Sequence, residues 1–427
     1  MKENTKLIIS IFCIAFIVRV IFFLIMPQFF DRMFRFWDDW IYLEYAKNIL
    51  NQGWWVLDIS KLDVNIDGRQ YNADGVGPGY PLVVSLIMFL FGDDLRVIMF
   101  LNVIFSSLTC IVIYYLGKEV FYKQIGILSS FWSIIYVYFM IYMPRVLKEN
   151  LLQLLIPLVI LLMVYEIKKE KVNMISIFFP LAFTYLVHSD ERYIIFLPII
   201  LFTMIACDNV HRINGLKKFT VFLAAVIILS IPWAVRNYVV YNRLVILTTR
   251  TEWFRENNVE IVKKPLFDRI LNSKAVSGNL DNTSKMKFEN KSGYFDEKLQ
   301  RLSIYWAPMV LRESKLGSNV MLAGSLKYNL GGLLTYGILL PFFIVGSIFT
   351  LKKNKLGFSL IIFIIIQSLL HILIDIINPW PRYRYPIDSL IIIIAFYGFY
   401  QLLQLKIFKR LILPSSNLYS FLYVSKH

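Results

Sequence analysis

"PLVVSLIMFLFG", residues 81 to 92, is the stretch on which the topology of this chain turns. It is apolar from end to end, yet a helix of that length rises only about 18 Å, against about 30 Å of hydrocarbon in a bilayer. Read as a crossing, it exchanges the two sides of the membrane for everything that follows. Positive charge decides the matter, because Lys and Arg in short loops favour the cytoplasmic side. With the N-terminus inside and 81–92 not crossing, the inside loops receive Lys118 and Lys123, "KKEK" (168–171), Arg212 with Lys217 and Lys218, "KKNK" (352–355), and Lys406 with Lys409 and Arg410. Every one of these loops is basic, so 81–92 reads as a re-entrant or interfacial helix.

Outward from that stretch, apolar runs long enough to cross lie near 7–26, 97–117, 124–143, 149–166, 173–188, 193–207, 219–236, 331–350, 356–377 and 387–405. The expectation is an all-α polytopic membrane protein with about ten transmembrane helices, interfacial helices in the outer loops and both termini cytoplasmic. A residue set that is 57% hydrophobic and only 17% charged, with a mean hydropathy of +0.59, is too apolar for a soluble core of this length. The net charge of +16 is then topogenic and is not evidence for nucleic acid. Cys13, Cys110 and Cys207 lie in or beside apolar runs, which supports neither a disulfide framework nor a thiolate metal site. The run at 7–26 follows "MKENTK" and lacks a small-residue cleavage site, so it is expected to stay as a membrane helix. Two outer segments are long, 27–96 and 237–330. They divide the chain into an N-terminal transmembrane module (1–236, including the outer loop 27–96), an external loop subdomain (237–330), and C-terminal helices with a cytoplasmic tail (331–427). Within the second, 294–314 has the mixed pattern of an interfacial helix.

Once the topology is set, the chemically capable residues separate from the topogenic ones. Asp38, Asp39, Glu149, His188, Asp190, Glu191, Arg192, Arg236, Arg382 and Arg384 all fall at or near outer ends of spans. Ionisable groups near membrane depth are costly unless they pair or face a wet cavity, so their gathering at one level points to a shared outward-facing site. In "RFWDDWIYLEYAKNILNQG" (35–53), a helix starts at Asp38 or Asp39 and ends before Gly53, and its adjacent aspartates point about 100° apart. Taken alone, the pair is equally an N-cap and a first-turn acid between tryptophan interface anchors. In "PRVLKENLLQLL" (144–155), Glu149 either caps a span or pairs with Lys148. Arg236 in "IPWAVRNYVVYNRLV" (231–245), and Arg382 and Arg384 around Tyr383 in "NPWPRYRYPIDSL" (378–390), have the rigid charged fork that suits phosphate oxygens. Cation–π packing and snorkelling are the structural alternatives. His188 has no nearby His or Cys, which argues against zinc there.

These segments together resemble the bacterial and archaeal polyprenyl-phosphate-dependent glycosyltransferases of fold type C, relatives of the protein O-mannosyltransferases and aminoarabinose transferases. The family's Asp-Glu followed by spaced Tyr, Ala, Leu and Gly is similar to "DDWIYLEYAKNILNQG". Its "PPLYP" entry to an apolar stretch ending in "FG" is similar to "GPGYPLVVSLIMFLFG". Its "PW..RN" and "RYR.P" patterns are similar to Pro232, Trp233, Arg236 and Asn237, and to Arg382 through Pro386. The resemblance spans about 10 to 400 and departs in two places. The acid pair is Asp-Asp instead of Asp-Glu, and Asp190, Glu191 and Arg192 stand where relatives often carry Arg-Pro-Glu, so nothing is carried over to that turn.

The resemblance implies transfer of one sugar from a polyprenyl-phosphate carrier to an extracytoplasmic hydroxyl on a protein, lipid or cell-wall glycan, with inversion at the anomeric carbon. Asp38 matches the catalytic aspartate and Glu149 the second outer acid. Arg236, Arg382, Tyr383 and Arg384 are the candidates for binding the donor phosphate or lipid-linked sugar. Asp39 and Glu149 orient the substrate or hold a divalent cation such as Mg²⁺ or Mn²⁺. No further cofactor is implied, and no GxGxxG fingerprint for a nucleotide sugar follows a strand. A lipid-linked glycan flippase and a ligase or polymerase using a diphosphate carrier are the competing readings; the flippase predicts paired repeats, which are not visible.

Overall fold

The computed structural model describes residues 2–25, 37–52, 64–66, 69–71, 79–168, 311–313, 320–322, 326–373 and 381–404, with scattered positions between 224 and 239 and between 299 and 308. The helices are α1 (Lys2–Ile25), α2 (Trp37–Gln52), α3 (Gly79–Phe91), α4 (Leu95–Val120), α5 (Lys123–Ile135), α6 (Lys148–Lys168), α7 (Leu326–Gly332), α8 (Leu339–Lys353), α9 (Lys355–Leu373) and α10 (Tyr385–Gln404). Five apolar stretches among the described residues are long enough to cross a membrane: Thr5–Ile25, Leu95–Val120, Lys148–Tyr165, Asn329–Lys352 and Tyr385–Gln404. All five were expected; the run expected at 124–143 is instead helical only over Lys123–Ile135, after which the chain enters a short 3₁₀ turn at Val137–Phe139. The runs at 173–188 and 193–207 lie outside the described residues, as do His188, Asp190, Glu191 and Arg192.

The all-α expectation needs one amendment, because two short antiparallel hairpins interrupt it. β1 (Val64–Ile66) pairs with β2 (Arg69–Tyr71), and β3 (Leu311–Glu313) pairs with β4 (Val320–Leu322). The helix expected over 294–314 is met at the described positions 299, 302, 303, 305 and 306, and its far end is corrected, since the backbone is extended from Leu311. "VLRES" has no periodicity of its own that favours strand over helix, and pairing with Val320–Leu322 decides.

The stretch 81–92 lies in α3, which at 13 residues is shorter than the helices long enough to cross. Pro81 sits in its first turn, where a missing N–H costs nothing. At the other end Gly92 takes φ +82° and its N–H donates to Met88 O at 2.8 Å, the left-handed stop that glycine allows. Asp94 then caps α4, its Oδ1 accepting from Arg96 N at 2.9 Å, so the chain reverses within three residues. Tyr80, Val84, Ile87 and Met88 are buried on one face, while Leu86, Phe89, Leu90 and Phe91 are exposed on the other. Tyr80 stands edge-on to Tyr42 of α2, ring centroids 4.9 Å apart. Asn102, two turns into α4, reaches the 143–145 turn at the same end of the bundle.

Contacts sort the helix ends into two groups. At one end Lys168 donates to Glu119 Oε2 at 2.8 Å, Asn354 Nδ2 donates to Val120 O at 2.7 Å, and Phe121 stacks on Tyr397 at 4.2 Å. At the other lie Asp39, Arg145, Glu149, Arg382 and Arg384. Between them α10 runs as the central helix, with Ile387 and Leu390 to Ala395 fully buried. A helix apolar on all sides belongs inside a bundle. It meets α8 where Gly346 faces Gly398: a Cβ on either would run into the other helix's backbone, at Ile394 O or Phe342 O. Small residues let two membrane helices pack this closely. Toward the N-terminus, the buried Arg19 guanidinium ties α1 to its neighbours through Ser106 Oγ (2.7 Å) and the carbonyls of Ser133 (3.0 Å) and Ile134 (3.3 Å).

Candidate functional site

The polar end of the bundle is organised by the turn "IYMPRVLKEN" (141–150), almost all of which is buried. Buried backbone must find partners, and two asparagine amides supply them. Asn102 Nδ2 donates to Met143 O (3.0 Å) and Arg145 O (2.9 Å); Asn150 Nδ2 donates to Tyr142 O (2.8 Å) and Arg145 O (2.9 Å). Held from both sides, the turn presents Arg145 to Asp39 in the first turn of α2. Arg145 Nε and Nη2 both donate to Asp39 Oδ2, at 3.0 and 2.6 Å, and both residues are buried. Arg145 also lies 5.9 Å from the centroid of the Tyr142 ring.

Glu149 opens α6 directly after this turn and is buried, with its Oε1 3.8 Å from Arg382 Nε. Arg382 is itself placed by Tyr383, whose hydroxyl accepts from Arg382 Nη2 at 3.1 Å and whose ring centroid lies 4.9 Å from the guanidinium carbon. Tyr142 and Tyr80 complete the surroundings. Burial, with the charges of Asp39 and Glu149, raises the Tyr80 phenol above the usual tyrosine range, so it is a neutral hydroxyl at any physiological pH.

Arg384, two residues from Arg382, lies in a separate, sealed locus. Its Nε donates to Asp388 Oδ1 at 2.9 Å and its Nη1 to the carbonyls of Tyr305 (2.7 Å) and Ala307 (3.2 Å). Its guanidinium lies 3.7 Å from the centroid of the Tyr336 ring and 5.6 Å from that of Tyr138. Tyr136 Oη donates to the other Asp388 oxygen at 2.7 Å. Both charged residues are fully buried.

Of the residues singled out in the sequence, Asp39, Glu149, Arg382 and Tyr383 are brought to one end of the bundle. Asp38 is in the first turn of α2, and its side chain lies outside the described residues. Arg236 is buried in a helical turn with its guanidinium 4.9 Å from the Trp233 ring, a cation–π pairing. Arg145 and Asp388 escaped notice, although each stands inside a quoted stretch: Arg145 just ahead of Lys148 and Glu149, Asp388 one helical turn after Arg384. Among the described residues no group of three His, Cys, Asp or Glu side chains is placed to hold a metal.

The resemblance read from the motifs recurs in comparisons with known proteins. A family model described as dolichyl-phosphate-mannose-protein mannosyltransferase matches residues 75–235. The apo oligosaccharyltransferase of Archaeoglobus fulgidus superposes with a TM-score of 0.55 at 13% identity, covering 95% of this chain and 51% of that one. The oligosaccharyltransferase AglB of the same organism, in complex with an inhibitory peptide and a dolichol-phosphate, superposes with a TM-score of 0.56 at 15% identity, covering 98% of this chain and 53% of that one. ArnT from Cupriavidus metallidurans in its apo state aligns at 12% identity with a TM-score of 0.49, covering 84% of this chain and 54% of that one. This chain thus spans about half the length of these proteins, and at such identities the superposition on the two oligosaccharyltransferase structures establishes a shared fold alone. No curated protein sequence matches.

Proposed function

We propose that this protein transfers a monosaccharide from a polyprenyl-phosphate donor to an acceptor hydroxyl on the extracytoplasmic side of the membrane, with inversion at the anomeric carbon. The observation that carries this reading is the convergence of Asp39, Arg145, Glu149 and Arg382, from elements far apart in sequence, at the end of the bundle opposite the lysines Lys118, Lys168, Lys352 and Lys355. The lysine-rich end is the cytoplasmic one by the charge rule, so the carboxylates and Arg382 face outward. About ten crossings with both termini inside complete this topology, with 237–330 forming an external subdomain between the modules 1–236 and 331–427. The membrane-mannosyltransferase family model and the dolichol-phosphate bound to AglB support a lipid-phosphate donor.

In this reading Asp38 is the base. Asp39, one position on, is engaged by Arg145, and adjacent residues of a helix point about 100° apart, so the two acids have separate tasks. Asp38 takes the proton of the acceptor hydroxyl as that oxygen attacks the anomeric carbon. The bond from that carbon to the phosphate oxygen breaks through an oxocarbenium-like state, and the carrier leaves as polyprenyl phosphate. Arg382 stabilises the charge gathering on the phosphate, with Arg236 as a second contact and Tyr383 fixing the Arg382 fork. Arg384 serves the framework instead. Asp39 and Glu149 position substrate. Asp39 and Glu149 are the carboxylates that would hold a divalent cation here, and with Arg145 on Asp39 they offer it few oxygens, so no step depends on a metal.

The test uses the purified protein in lipid with labelled polyprenyl-phosphate sugars, envelope extract as acceptor, and a folded Asp38→Asn variant. Transfer by the parent that is lost in the variant is expected. Equal transfer by both removes Asp38 from the base role, and lipid movement without transfer in any condition replaces the enzyme with a transporter. Transfer of intact oligosaccharide from a diphosphate carrier favours the ligase reading.

A further inference from the structure

Glu149 and its surroundings include buried polar atoms that have no hydrogen-bond partner among the described residues. Glu149 Oε2, Gln153 Nε2 and Tyr80 Oη are each buried with no hydrogen bond among the described residues. The residues themselves are 6%, 3% and 2% exposed. Glu149 and Gln153 are four apart on α6 and so share a face, while Tyr80 comes from the first turn of α3 and lies within electrostatic reach of Glu149. Pro157 lies inside α6 and, lacking an N–H, cannot donate to the carbonyl four residues back, which is that of Gln153. Buried polar groups are nearly always satisfied, and each one left over calls for a ligand or an ordered water.

The inventory of these atoms defines what would satisfy them. A carboxylate oxygen and a backbone carbonyl accept, an amide N–H donates, and a neutral phenol does either. A phosphate offers acceptors only and would meet Glu149 unfavourably; a metal ion would gain nothing from the amide N–H. Neighbouring hydroxyls, each both donor and acceptor, match the set. We propose that Gln153, with Glu149 and Tyr80, forms a subsite that reads ring hydroxyls of a sugar and so sets which sugar is used, an assignment that rests on the glycosyltransferase reading above. Gln153 is the discriminating residue, because its amide has no role in the charge pairing of the site.

The experiment compares undecaprenyl-phosphate-linked hexoses with their single-deoxy counterparts as donors, and a methyl hexoside with its deoxy counterparts as acceptors, using the parent, Gln153→Leu and Tyr80→Phe. A site built to hydrogen-bond a hydroxyl rejects the analogue lacking it, on the order of 10²-fold or more in kcat/KM. The parent should show this at one ring position, and Gln153→Leu should abolish most of it. Loss of discrimination among donors places the donor sugar in the subsite; loss only among acceptors places the acceptor there. Thermal unfolding without ligand separates this role from a structural one, since removing an orphaned amide leaves the unfolding temperature level or raises it. Unchanged discrimination in Gln153→Leu, no discrimination by the parent, or a marked drop in unfolding temperature overturns the subsite while sugar transfer itself stands. Absence of transfer by the parent from every donor overturns the glycosyltransferase reading instead.

Discussion

Arg382 and Arg384 stand two residues apart in "PRYRYP", and the fold treats them as different kinds of residue. Arg384 is sealed: a carboxylate on the next helical turn, two carbonyls from the segment before β3 and two tyrosine rings surround its guanidinium. It ties the outer segment at 305–307 to the start of α10. Arg382 lies at the edge of the site, part-exposed, 3.8 Å from a carboxylate and resting on one tyrosine ring. A guanidinium bonded through Nε and Nη1 to protein atoms and packed against two tyrosine rings holds structure, whereas one in a long, loose ion pair can be recruited by a substrate phosphate. Spacing explains the difference, since Asp388 is four residues from Arg384 and so on its face of the helix.

Substituting each arginine breaks this comparison most directly. Arg384→Ala leaves Asp388 buried without its counter-ion and should cost about 3–5 kcal/mol, seen as a large fall in unfolding temperature in detergent. A stable Arg384→Ala protein with altered donor use would erase the distinction. Arg382→Gln should unfold at the parent's temperature yet lose on the order of 10²–10³ in transfer rate, about 2.7–4 kcal/mol on the barrier. The next effect sharpens the sealed side: Tyr136→Phe removes one charge-assisted hydrogen bond to Asp388, worth about 1.5–3 kcal/mol of stability, and should leave donor KM unchanged. Asp39 and Arg145 form an intermediate case, buried yet adjacent to the proposed base. A double-mutant cycle with Asp39→Asn and Arg145→Met should give a coupling of about 0.5–3 kcal/mol in stability, the double variant folding better than the singles predict. Additive losses would mean that the pair is held by its surroundings and not by each other.

Much of the site was legible because its residues occupy defined points on helices. Asp39 and Glu149 fall in first turns, where acids suit the helix dipole, and the loop charges named the end of the bundle to inspect. The partner of each acid was not legible. Arg145 lies 106 positions from Asp39, in a turn whose conformation depends on two asparagine amides from α4 and α6. Grouping Arg384 with Arg382 as phosphate contacts followed from residue type, and type alone does not reveal a locus that five aromatic and acidic neighbours have already filled.

Apolar length is a local property, and it was enough to specify the long membrane helices and to set the short apolar helix at 81–92 apart from them. Side-chain pairing across the bundle is a property of packing. Which acid meets which arginine, which arginine is sealed, and which buried polar atoms are left for a ligand depend on helices brought together from distant parts of the chain, where one helical turn of offset moves a side chain from one partner to another.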